Sequence, residues 1–152
     1  MKSKEFVVAG AALTLVTYVL ALSLAGQALS ATQTSRKVSN AGNVKTVGID
    51  VYWDHKCTDI LSSIDWGVLE PGSSESVTCY IRNELSSVST LSMYTSNWIP
   101  ANASDYLTLS WDYGGQSINV DEVMQVTFTL SVDASIEGIT SFSFDITIVG
   151  NS

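Results

Sequence analysis

From Thr46 to Val149 apolar and polar residues alternate with a period of two, and no other feature limits the fold of this chain so strongly. In an extended strand successive side chains point to opposite faces, so such a row reads as a strand buried on one side and solvated on the other. Val47, Ile49, Val51 and Trp53 form a first row against Thr46, Gly48, Asp50 and Tyr52. Ile60, Ile64, Trp66 and Val68 form a second, and Val77, Cys79 and Ile81 a third. Leu91 and Met93 mark a less regular run, followed by Leu107, Leu109, Trp111 and Tyr113, and then by the short pair Ile118 and Val120. The clearest rows come last: Met124, Val126, Phe128, Leu130 and Val132, then Phe142, Phe144, Ile146 and Ile148.

Turn-forming groups separate these rows: Glu70-Pro71-Gly72-Ser73, Asn83-Glu84, Pro100-Ala101-Asn102, Gly114-Gly115 and Glu137-Gly138. No stretch after Ala31 carries a helical period, so a parallel sheet with crossover helices is excluded. The predicted fold is all-β: an antiparallel two-sheet sandwich of the jelly-roll or immunoglobulin-like kind, preceded by an N-terminal hydrophobic signal helix.

That helix is read from Phe6 to Ala25, an uncharged apolar run behind Lys2 and Lys4. Twenty such residues also match a hydrocarbon core of about 30 Å, so length leaves a cleaved signal peptide and a retained anchor both open. The small residues Gly26, Ala28, Ser30 and Ala31 favour cleavage, and either outcome puts the domain outside the membrane. The predicted organisation is a signal peptide over 1–31, a polar segment over 32–43 and a sandwich over 44–152.

Composition narrows the function. Seven basic residues against fifteen acidic ones, for a net charge of -8, leave no cationic stripe for a phosphate backbone, so nucleic acid is not an expected partner. Charged residues are 14% of the chain, whereas 37 residues are Ser or Thr (23 and 14), the profile of a small exported β domain.

Little in the chain suggests chemistry. Cys57 and Cys79 are the only cysteines, and an outward-facing compartment favours a disulfide between them, worth roughly 3 kcal/mol; two free thiols are the alternative. His55 lies two residues from Cys57 in a polar turn, a weak basis for a catalytic pair. Asp50, Asp54 and Asp59, and farther on Asp121 and Glu122, read as solvated turn acids, because their spacing fits no calcium loop. No phosphate loop or nucleophile elbow is present, and no enzyme activity, metal or cofactor is expected. Trp53, Trp66 and Trp111 fall on apolar rows; Trp98 stays open as a sugar-binding surface. Asn102-Ala103-Ser104 is an N-glycosylation sequon.

Several segments together resemble a known family. They are Val51-Tyr52-Trp53-Asp54, Cys57-Thr58, Ser63-Ile64-Asp65-Trp66-Gly67, Pro71-Gly72, the strand ending at Asn83, Asn97-Trp98 and Phe142-Ser143-Phe144-Asp145. In this pattern the chain resembles archaeal bundling-pilus subunits, which are similar to the TasA and camelysin group of biofilm-matrix fibre proteins. The resemblance implies a jelly-roll subunit of an extracellular filament whose partners are copies of itself, joined by donor-strand complementation. A strand added to a sheet edge satisfies backbone groups, and a head-to-tail contact that does not close gives an open filament. The implied donor is residues 32–43, including Thr32, Thr34, Val38 and Asn43, with Val38 its one large apolar residue. The rival expectation is a membrane-anchored surface domain that binds glycan or another envelope protein.

Overall fold

A computed structural model describes residues 38–152; the predicted signal helix, Thr32 and Thr34 lie outside the described residues. Eight strands form two four-stranded sheets, and the only helical element among the described residues is a short 3-10 turn, Ala101–Asp105. The strands are β1 (Val38–Val47), β2 (Ile49–Tyr52), β3 (Ser63–Leu69), β4 (Ser74–Asn83), β5 (Thr90–Ile99), β6 (Leu107–Trp111), β7 (Val123–Val132) and β8 (Ser141–Asn151). One sheet has the order β3-β1-β8-β5 and the other β2-β4-β7-β6. Only β6 and β7 follow one another in the chain within one sheet; every other connection passes between the sheets. No helix among the described residues is long and apolar enough to cross a membrane.

The core lies between the sheets and is made by the alternating rows. Val126, Phe128, Leu130 and Val132 of β7 face Phe142, Phe144, Ile146 and Ile148 of β8, with Cys79 and Ile81 of β4 and Ile64 and Trp66 of β3 completing it. Each fully buried side chain of this size contributes about 1.5–3 kcal/mol relative to exposure, which is why the rows dictate the sheet faces.

Three predicted rows are corrected; in the short pair, Ile118 is buried but Val120 is exposed, and Ile118 makes only an isolated bridge to Ser89 rather than a strand. In the first, the chain leaves one sheet and enters the other at Gly48, whose φ of +71° ends β1 and starts β2. Ile49 and Val51 are buried as expected, but Val47 and Trp53, on either side, are exposed. In the second, Asn40 pairs with Gly67 but Ala41 with Asp65, so Trp66 is an extra residue in β3. Gly67 has a φ of +67° and donates its N–H to Asp65 Oδ1 at 2.9 Å, the geometry of a glycine bulge. The bulge inverts the alternation: Leu69 is buried and Val68 exposed. Ile60 is exposed too, its neighbour Leu61 entering the core instead.

The boundary expected between residues 43 and 44 falls inside β1. Val38 to Val47 form one continuous strand, parallel to β8 from Ser39↔Ser141 to Val47↔Val149 and antiparallel to β3 from Val38↔Leu69 to Asn43↔Ser63. The segment 38–43 is thus built into the sandwich and lies in the middle of a sheet.

Candidate functional site

The place where the fold departs most from expectation is the channel that holds β1. Its walls are β3 and β8, and its floor consists of Ile64, Trp66, Phe144, Ile146 and Ile148, all buried. Trp98 of β5 extends the floor by stacking on Phe144, with ring centroids 4.1 Å apart and planes 10° from parallel. This packing accounts for Trp98 as a half-buried side chain set against the core.

The strand inside this channel brings very little apolar surface. From residue 41 onward its inward positions are Gly42, Val44 and Thr46, and only Val44 is large and apolar. Gly42 lies over Trp66: a Cβ there would stand 3.1 Å from the indole Nε1, 3.3 Å from Ile146 Cδ1 and 3.6 Å from Phe144 Cζ. A Cβ at this position would need its neighbours to yield by a few tenths of an ångström, and a larger side chain by more. Trp66 Nε1 is buried and has no hydrogen-bond partner among the described residues.

On the outer face the strand is held by a polar cluster centred on Asp145 of β8. Lys45 Nζ of β1 donates to Asp145 Oδ2 at 2.6 Å, and Asn97 Nδ2 of β5 reaches the same oxygen at 2.6 Å. Asn43 Nδ2 of β1 lies 3.5 Å from Oδ1. Asn97 reaches the carboxylate from a left-handed backbone, φ +53°, where the β5 register shifts between Ser96 and Ile99. Lys45 first, then Asn97, hold the Asp145 carboxyl below the usual carboxylate range. Three adjacent strands, β1, β8 and β5, are joined at this residue.

The remaining predicted site residues are dispersed. Val38 and Asn43 lie on β1. Asn102 is exposed in the 3-10 turn, and the hydroxyl of Ser104, the third sequon residue, donates to Ala101 O at 3.0 Å. The expected disulfide is a correction: Cys57 and Cys79 are both free. Cys79 points into the core from β4, whereas the next residue, Tyr80, faces outward and carries the His55 ring edge-on at 5.6 Å. Cys57 lies in the turn with His55, its thiol 3.8 Å from His55 O. Burial pushes the Cys79 thiol up to about 12 and also raises the half-buried Cys57.

The turn acids have local partners. Asp54 accepts from Thr58 N, Thr58 Oγ1 and Asp59 N, each at 2.9 Å, and Glu122 Oε2 accepts from Asn119 N at 2.7 Å and Nδ2 at 2.8 Å. Among the described residues no three His, Cys, Asp or Glu side chains gather as a metal site. Asn83, at the end of β4, is fully buried; its amide donates to Ser87 O and Ile118 O and accepts from Leu85 N.

Sequence reasoning singled out neither Gly42, Lys45 nor the role of Asp145. The usable signal was the acid at 145, the one charge among the polar partners Ser141, Ser143 and Thr147 that alternate with Phe142, Phe144, Ile146 and Ile148. No protein-family model matches the chain, and no curated protein does.

Proposed function

We propose that the protein is the structural subunit of an extracellular filament, a pilus or biofilm-matrix fibre, and that β1 is the strand donated from one subunit to the next. The observation that carries this reading is the mismatch between the channel and its occupant. A central position, normally the best-buried in a sheet, holds a strand with one large inward side chain from residue 41 onward, and a single residue, Gly48, links that strand to the rest of the domain.

Withdrawing β1 would expose the Trp66 and Phe144 floor and unpair both neighbouring strands, so the channel must be filled. The same ten residues of another copy can fill it with the same contacts. Exchange is therefore close to neutral in contact energy, and short hinges favour it. Within one chain the strand competes at an effective concentration on the order of mM, so assembly needs crowding or further contacts between subunits. The outer face of the β1 sheet, with Ser141, Ser143, Thr147, Ser92 and Ser96, carries few charges to oppose such contacts.

This moves the donor from residues 32–43 to Val38–Val47. The jelly-roll family relationship, export behind a cleaved signal peptide and glycosylation at Asn102 belong to the same proposal. A synthetic peptide spanning 38–47, added as purified subunits begin to assemble, should occupy accepting channels and shorten the fibres seen by electron microscopy. Fibres of unchanged length at saturating peptide would overturn the reading.

A further inference from the structure

Among the described residues Asp145 is the only buried residue with a charged side chain, and the groups that compensate it are unevenly distributed. Its side chain is 10% exposed, that of Lys45 59%. An ionised carboxylate at such a site is costly unless paired and hydrogen-bonded. Two of its three side-chain partners, Lys45 and Asn43, belong to β1; with the channel empty Asn97 remains. The channel therefore selects a strand that presents a cation on its outer face at this level.

The register of that strand is fixed from both sides. A slip of one residue turns Lys45 inward and Gly42 outward, because side chains alternate. A slip of two brings Val44 or Asn40 to the place of Gly42, where even a Cβ stands 3.1 Å from the Trp66 indole. No other glycine lies within Val38–Val47. Only the register with Asn43 beside Asp145 meets both conditions.

We propose that Asp145 is the recognition residue of the channel, receiving Lys45 and Asn43 from β1 of a second copy of this chain in the assembled filament. The inference rests on the strand-exchange reading and adds which residues read the incoming strand and in which register.

The test mixes complementary charge reversals. Lys45→Glu and Asp145→Lys subunits should each fail to form fibres alone, since every junction would then face like charges. Mixed in equal amounts they should form fibres in wild-type yield, because each strand then meets the opposite charge in the other variant's channel. The double variant should assemble alone. If the singles assemble as well as wild type, the role of Asp145 is overturned while strand exchange stands. If only the double variant assembles and the mixture does not, the pair acts within one chain and the inference falls. If wild type makes no fibres, the exchange reading falls and takes the inference with it. Should Asp145→Lys not fold, Asp145→Asn keeps the test open. Wild-type channels should take up the Lys45→Glu strand roughly tenfold less well than the wild-type strand, and Asp145→Asn channels should take up both alike. Equal discrimination by the two channels would overturn the proposal.

Discussion

Replacing Gly42 by Val tests the placement of β1, because the sign of the effect depends on that placement. At Gly42 a Cβ alone stands 3.1 Å from Trp66 Nε1 and 3.3 Å from Ile146 Cδ1, and the two γ-methyls of Val extend beyond it into the same floor. Overpacking of a filled core costs about 1–3 kcal/mol. For a domain of this size, at roughly 4 °C per kcal/mol, that lowers the midpoint of thermal unfolding by about 4–12 °C. Gly42→Ala is the calibrating variant. It needs the neighbours to yield by only a few tenths of an ångström, and the loss of glycine's freedom in the unfolded chain returns about 0.4–1 kcal/mol, so it should melt within a few degrees of wild type. Circular dichroism melts and urea titrations of the three proteins supply the comparison. If β1 did not lie between β3 and β8, position 42 would be an exposed site in an extended segment. There Val has the higher strand propensity by up to about 1 kcal/mol, and the variant would be neutral or more stable. A Gly42→Val protein that melts at or above the wild-type temperature refutes the channel.

Further outcomes follow from the same geometry. A thiol reagent should modify one cysteine per native chain, Cys57, with Cys79 reacting only on unfolding; no free thiol in the unreduced, unfolded protein would restore the disulfide. Asp145 has a folded pKa below its unfolded value of about 3.9, so its contribution to stability is complete above that pH and is lost as pH falls through the folded value. Melting temperature should therefore fall less steeply below about pH 4 in Asp145→Asn than in wild type, where Asp54 and Asp133, also lowered, add to the slope; parallel curves would contradict this. Asn83→Ala removes a buried amide that closes the end of β4 and should cost about 2–3 kcal/mol in urea unfolding, since Leu85 N and Ser87 O lose their partner. A loss under 1 kcal/mol would mean that water replaces the amide at low cost.

The rows of β4, β7 and β8 were legible because their residues do what period two requires: every second side chain is large, apolar and buried, from Val126 to Val132 and from Phe142 to Ile148. The reading failed where one glycine reset the geometry. Gly48 and Gly67 each take a positive φ, and neither the change of sheet at the first nor the inverted face at the second leaves a mark in the alternation around it. β1 itself was unreadable as a central strand. Val-Ser-Asn-Ala-Gly-Asn-Val-Lys-Thr-Val has no apolar row, since its place is set by the floor beneath it and by Asp145 about a hundred residues away. Asp145 was visible as an odd charge, but its partners could not be named before the parallel pairing of β1 with β8 brought Asn43 and Lys45 beside it. The expected compartment likewise suggested a bridge between Cys57 and Cys79, whereas both are free, Cys79 buried in the core row of β4 and Cys57 in a turn outside the strands.

Strand exchange turns on which molecule owns the strand in the channel. Electron cryomicroscopy of the assembled fibre, at a resolution that traces the backbone, answers it at Gly48. Under strand exchange the strand between β3 and β8 of each subunit runs through its Gly48 into β2 of the neighbouring subunit, with Lys45 of that neighbour on Asp145. A trace in which the strand continues into β2 of the same subunit rules strand exchange out.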